Sequence, residues 1–312
     1  MMQISNTILM IRPVNFRKNE QTAVNNYFQE DINLDDITVI KNAQKEFDAF
    51  VDTLTAKGVN VVVIEDTKTP DTPDSIFPNN WISFHSNGTV GLYPMFAENR
   101  RNERREDILN TLEEKGFIIE NVMDYTSAEE DNLFLEGTGS LLLDRVNKKA
   151  YCALSDRANE ELIIEFCEDF DYLPVIFSAY QSVGDKRMLI YHTNVMMCLA
   201  EHFSVICLDS IDDKKERKNV VKHLKENGKE VIAITEEQIH HFAGNMLQVL
   251  GADDKRYLVM SSAAYNSLNS SQIKSIEKYC EILHSSLETI ETCGGGSARC
   301  MMAEVFLPQE LD

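Results

Sequence analysis

Residues 292–307 read TCGGGSARCMMAEVFL. Gly294, Gly295 and Gly296 lack a Cβ, so the backbone there can bend sharply and approach a ligand closely. They leave Cys300 at the mouth of the apolar run 301–307, an expected strand. That run has no later strand to pair with. The first expected strand, TILMIRP at residues 7–13, has no earlier one. Pairing the two would join the ends of the chain into a ring and remove two exposed sheet edges.

Between these ends the chain repeats itself. Pro13 stops the first strand, and a polar loop rich in Asn and Gln runs to about Leu34, with the composition of a mobile segment. Ile37, Ile40, Phe47, Val51 and Leu54 recur at helical spacing, Gly58 stops that helix, and NVVVIE (60–65) is a β-branched strand. WISFHSNGTVGLY (81–93) is two apolar runs joined at Asn87–Gly88, a dipeptide suited to a tight hairpin turn. A charged helix over 103–115 and the strand FIIENV (117–122) follow.

Hairpin, helix and strand then recur as GSLLLDRVNKKAYCALS (139–155), a helix near 157–170 and LPVIFS (173–178). The next copy is NVMMCLAEHFSVICLDS (194–210), a helix over 214–227 and EVIAIT (230–235). The last is NMLQVLGADDKRYLVMS (245–261), a helix near 272–283 and SLETIE (286–291). Thr235 and Gln238 form a capping-box pattern for a short extra helix through His241. Repeats of this length mark solenoids and propellers. The expected fold is therefore α/β, with residues 1–312 as one domain and the ring closed by its terminal strands.

Composition narrows the function. Lys and Arg number 30 against 51 Asp and Glu, a net charge of −21, which makes nucleic acid a poor partner. No basic amphipathic run suits a membrane surface, and the short apolar run at the N-terminus contains Arg12, unlike a signal peptide or spanning helix. Seven cysteines scattered through apolar segments read as reduced thiols, and a cytoplasmic location is expected. Cys293 and Cys300 with His240 and His241 fit no zinc-ligand spacing, so no metal is expected.

The residues that precede each hairpin, and the last strand, are Asn80, Glu136, His192, Asn245 and Cys300, separated by 56, 56, 53 and 55 residues. Equivalent positions in a closed array of repeats converge on one point. Taken singly, Glu136 could be a paired acid, His192 a hydrogen-bonded core residue, and Asn245 a turn residue, which is how Asn245 is read here. Cys, His and Glu in one register are the parts of activated thiol catalysis, with Cys300 as nucleophile and His192 as acid and base.

EGTGSLLL, HTNV, GNMLQVL and GGGSARCM, in this order, resemble the signatures of the pentein or guanidine-modifying superfamily. That group includes arginine deiminases, dimethylarginine dimethylaminohydrolases and amidinotransferases, and the resemblance spans nearly the whole chain. It implies a five-bladed α/β propeller and carries the family's nucleophile, histidine and glutamate onto Cys300, His192 and Glu136. FPNNWISFH with HTNVMM looks most like the amidinotransferase-related proteins that include citrulline-utilisation hydrolases.

Arginine deiminases grip the guanidinium with two aspartates, where this chain has Asn80 and Asn194. An aspartate pair suits a cation, whereas asparagine offers a donor and an acceptor and suits a neutral ureido group. A citrulline-like substrate is accordingly expected over an arginine-like one. The family's Arg-Arg-x-Glu string matches Arg100, Arg101 and Glu103, which offers Arg101 as an α-carboxylate ligand. Asp74 is expected at the entrance, and Arg299 beside the nucleophile as a thiolate-stabilising or carboxylate-binding charge.

The implied reaction is hydrolysis of a C–N bond through a Cys300 adduct, with a small amino-acid-like substrate and no cofactor; homo-oligomer formation is compatible with it. Amidino transfer or arginine or methylarginine hydrolysis would use the same residues. A non-catalytic binding propeller would have no need of the Cys, His and Glu register.

Overall fold

The computed structural model describes residues 2–310. Strand β1 (Thr7–Arg12) runs parallel to β2 (Asn60–Glu65), and the helix Asp36–Thr55 connects them. Asp35 caps that helix by accepting the Thr38 N–H at 3.0 Å. Its buried face is Val39, Ala43, Phe47, Phe50 and Leu54. Ile37, expected on that face, is 66% exposed, and Val39 and Phe50 complete the stripe instead.

The second unit is β3 (Ile82–Phe84) antiparallel to β4 (Thr89–Leu92), the helix Glu106–Glu114, and β5 (Asn121–Asp124) parallel to β4. Gly88, at φ +78°, makes the expected turn between β3 and β4. The third unit repeats this as β6 (Leu142–Asp144), β7 (Lys149–Leu154), the helix Glu160–Asp169 and β8 (Leu173–Ser178). A separate hairpin, β9 (Tyr180–Val183) with β10 (Lys186–Leu189), was not expected.

The fourth unit is β11 (Met197–Leu199), β12 (Phe203–Ile206), the helix Lys214–Glu226 and β13 (Glu230–Ala233). The capping box at Thr235 and Gln238 is formed and opens the helix Glu236–His240. The fifth unit is β14 (Leu247–Leu250), β15 (Arg256–Ser261), the helices Ser262–Ser267 and Ser270–Glu277, and β16 (Glu281–Ser285). Here the expectation is corrected. The third strand is EILHS, and most of SLETIE enters the helix Glu288–Gly294, because Thr289, Ile290 and Cys293 bury one helical face.

Strand β17 (Ala303–Glu304) pairs antiparallel with β1, Ile8 opposite Glu304, so the two ends of the chain share a sheet. The result is an α/β protein with five three-stranded sheets, none closed on itself among the described residues. The core lies between units as well as within them. Phe47 and Phe50 pack in one cluster with Ile8 and Met10 of β1, Val249 and Val259 of the fifth unit, and Met301 and Met302 beside Cys300. Burial of each such Phe is worth about 1.5–3 kcal/mol, so this cluster fixes the Cys300 loop from behind.

The loop 14–34, expected to be mobile, is packed down. Asn19, Thr22 and Asn26 are buried, and Asn26 Nδ2 lies 3.3 Å from both the Gly294 and Gly295 carbonyl oxygens. Its polar side chains find partners in the glycine loop rather than water. No described helix is long and apolar enough to cross a membrane.

Candidate active site

The five residues of the shared register are all buried: Asn80, Glu136, His192, Asn245 and Cys300. Each stands just ahead of a strand. Asn80 ends a short turn before β3, Glu136 and His192 precede the one-turn helices Gly137–Ser140 and Thr193–Met196, and Asn245 and Cys300 lead into β14 and β17.

The structure brings them together. His192 Nε2 lies 2.7 Å from Glu136 Oε2. Asn245 Nδ2 and Asn194 Nδ2 lie 3.2 and 3.4 Å from Cys300 Sγ, placed to stabilise negative charge on sulfur. Asn245 Oδ1 also accepts the Arg299 N–H at 3.0 Å, so Asn245, read as a turn residue, holds the loop and faces the thiol. Asn80, His192 and Cys300 line one cavity with Asp74, Arg100, Arg157 and Tyr191. The space open to water centres is about 10 Å³, enough for roughly one water molecule.

The Glu136–His192 pair has a defined charge state. Burial alone would raise the Glu136 carboxyl, but the charge of Arg157 and the bond to His192 outweigh it and hold it well below the usual carboxylate range. Burial lowers the His192 imidazole against the pull of Glu136, with Arg157 and Arg100 adding to the fall. The pair is therefore carboxylate and neutral imidazole at pH 7. Nε2–H donates to Glu136, which leaves the lone pair on Nδ1. A Cβ on Gly139 would overlap Asn80 Nδ2 and stand 2.9 Å from His192 Nδ1, so a glycine is required where these two groups meet. Gly295, at φ +60°, ends the helix Glu288–Gly294 in the left-handed conformation and presents its carbonyl to the Tyr191 hydroxyl at 2.6 Å.

Asp74 is buried in the cavity wall, with Oδ2 accepting from Asn19 at 2.8 Å and Oδ1 without a partner. Asn194 Oδ1 is likewise unpaired. Two expectations are corrected. Arg101 donates to the Met95 carbonyl and pairs with Glu129 in a surface depression, outside this cavity. Arg299 turns away from Cys300 to the Met302 carbonyl and to Glu304, each at 2.7 Å.

The cations in the cavity wall are Arg100 and Arg157. Arg100 binds Glu103 with Nε and Nη2, both at 2.9 Å, and gives Nη1 to Asn80 Oδ1 at 2.8 Å. Burial pushes the Glu103 carboxyl up to about 7 against the opposing charge of Arg100. Arg157 Nη1 lies 3.5 Å from Glu136, and Nη2 donates to the Thr22 carbonyl at 2.9 Å. Sequence reasoning missed Arg157, although the signal was there: Arg100 and Arg157 each stand between a hairpin and its helix, a second shared register. Among the described residues no group of three His, Cys, Asp or Glu side chains is placed to hold a metal ion.

Residues 12–307 match the model of the eukaryotic N,N dimethylarginine dimethylhydrolase family. No curated protein sequence matches the chain. Among solved structures, the arginine dihydrolase ArgZ of the cyanobacterial ornithine-ammonia cycle superposes with a TM-score of 0.73 at 18% identity. That match covers 97% of this chain and 41% of ArgZ, so the chain spans about two fifths of the length of that relative. The N-terminal domain of ArgZ, caught in covalent bond to a reaction intermediate, matches over 97% of this chain and 99% of its own, with TM-score 0.70 and 18% identity. A dimethylarginine dimethylaminohydrolase with an S-methyl-L-thiocitrulline adduct matches over 96% and 99%, with TM-score 0.65 and 13% identity. The chain belongs to the N,N dimethylarginine dimethylhydrolase family, within the pentein superfamily of guanidino-modifying enzymes.

Proposed function

We propose that the protein hydrolyses a C–N bond of a ureido or guanidino amino acid through a covalent Cys300 adduct, with the neutral ureido group of a citrulline-like substrate preferred. The observation that carries the preference is the bond from Arg100 to Asn80. A guanidinium has no acceptor, so Asn80 must turn its oxygen to Arg100; one of its N–H groups bonds Asn79 Oδ1 at 3.0 Å and the other is left for the cavity. A donor there suits the carbonyl oxygen of a ureido group, whereas a guanidinium presents N–H on every side. Asn194 Oδ1, unpaired and beside the thiol, supplies an acceptor for a ureido N–H. Asp74 Oδ1 is free for an α-ammonium, and Arg157 is the cation in place for an α-carboxylate.

In this reading His192 Nδ1 takes the Cys300 proton, and the thiolate attacks the ureido carbon. The tetrahedral adduct expels the substrate's amine, which receives that proton, and leaves an S-carbamoyl cysteine. Water, giving its proton to Nδ1, then displaces the thiolate, and the carbamate breaks down to ammonia and carbon dioxide. No step calls for a cofactor.

The same reading takes residues 1–312 as one catalytic unit and the five sheets as blades of a five-bladed propeller. Its support is that the five register residues gather, with Asn245 on the Cys300 thiol, Asn80 and His192 in the same cavity wall and Glu136 on His192, and that β17 returns to β1. A cytoplasmic location is consistent with seven free, buried cysteines.

The test is purified protein incubated separately with citrulline, arginine, agmatine and methylated arginines, with amine, ammonia and urea measured. Citrulline should be the fastest and give no urea. Arginine turned over as fast or faster would sink the argument from Asn80, and full activity in Cys300→Ala would remove the nucleophile.

A further inference from the structure

Arg145 stands in the turn between β6 and β7 and is 4% exposed. Its guanidinium carbon lies 4.0 Å from the centre of the Phe306 ring, and the Tyr172 hydroxyl is its polar neighbour. Among the described residues no carboxylate comes within 4.0 Å of it. The adjacent acid, Asp144, is taken by Asn147 and by Lys229 at 3.3 Å. A buried cation with no carboxylate partner is suited to binding an anion.

Arg145 lines a small cavity with Arg299 and Glu304, which pair with each other, and a larger one of about 240 Å³ that shares no lining residue with the Cys300 cavity. Lys148 lines it too, its Nζ 4.6 Å above the Tyr172 ring and bonded to the Phe170 carbonyl at 2.9 Å, with further N–H groups free. The opposite wall is His85, 5% exposed, stacked on Phe170 at 4.1 Å. His85 Nε2 meets Ser83 at 2.8 Å, and Nδ1 has no partner among the described residues. Burial, together with the nearby Arg145 and Lys148, keeps this imidazole neutral, so it can donate one hydrogen bond without a charge of its own. Asp169 and Asp171 also line the cavity, and Asp169 is engaged by the Tyr125 hydroxyl at 2.8 Å.

We propose that this cavity is a second small-molecule site, in which a carboxylate or phosphate group is held by Arg145 and Lys148 beside His85. Its size, below the usual range of ligand pockets, suits a small acid or phosphate ester rather than a nucleotide.

Thermal melts of the whole protein in sodium phosphate and in sodium acetate, each against sodium chloride of equal ionic strength, test this. At least one of the two should raise the melting temperature; phosphate alone indicates a phosphate ester, acetate a carboxylic acid. Arg145→Met should melt no lower than the wild type in chloride, since it removes an unpaired buried charge. It should also bind the effective anion at least about ten-fold more weakly. No rise with either anion, or a rise retained in Arg145→Met, overturns the proposal. Should Arg145→Met fail to fold, the half-buried Lys148→Met decides: weaker binding supports the site, and unchanged binding overturns it.

Discussion

Glu136 and His192 are buried against one another, and their charge state follows from that and from the arginines beside them. The Glu136 carboxyl is depressed and the His192 imidazole is depressed as well. For an imidazole held neutral, the unfolded chain binds more protons once pH drops below the ordinary value of roughly 6.5. The stability it contributes is complete above that pH and is lost as pH falls toward the folded value. His85 acts in the same direction, whereas the loss from Glu136 comes only at far lower pH. The raised Glu103 and Glu291 carboxyls work the other way, adding stability as they take up protons below pH 7, so the His192 share is read by difference: from pH 7 to pH 5 the wild type should lose more melting temperature, or gain less, than His192→Gln. Glu136→Gln, which removes the anchor for the imidazole tautomer, should lower kcat by about 10²–10⁴-fold at unchanged fold by circular dichroism. Gly139→Ala forces Asn80 and His192 apart. Its expected cost is about 10²-fold in kcat/KM, the scale of a 1 Å misplacement.

At the scale of elements, the loop 14–34 and the glycine loop form a closed seam over the thiol. Asn26 and Gln29 bind the Gly294 carbonyl, and Asn19 and Thr22 bind Asp74. A substrate larger than one water needs this seam to part. Asn26→Ala should speed alkylation of Cys300 by iodoacetamide several-fold, with a stability loss of about 1–2 kcal/mol. An unchanged labelling rate would mean that the thiol is reached by another route. Parts of these elements were legible in the sequence. NVVVIE and LPVIFS are strands over the expected residues, because β-branched and apolar runs between breakers leave little choice. SLETIE was not legible, since Leu287 and Ile290 suit a short strand or one helical face until the packing against Phe47 and Phe50 decides. That Cys300, His192 and Glu136 come close in space was legible because one register repeats. Arg299 could not be excluded, because adjacency in sequence says nothing of where a long side chain turns.

Across the whole molecule the charge of −21 is spread over a fold that must hold several acids close together. Self-repulsion of that size weakens the compact state and is screened by salt. Raising sodium chloride from about 10 to 150 mM, over which the Debye length falls from roughly 30 to 8 Å, should raise the melting temperature. A flat or falling response would show that local ion pairs, such as Arg12 with Asp48 and Glu65, already balance the surface.

The pairing of β17 with β1 has a temporal side. Asn80, Glu136, His192 and Asn245 all leave the ribosome before Cys300, and β1 leaves before any of them. Cys300, the proposed nucleophile, is held among its partners by a strand that follows it and docks on β1. Until that pairing a nascent chain carries the four polar residues without Cys300 among them, so the proposed chemistry waits for β17 to meet β1.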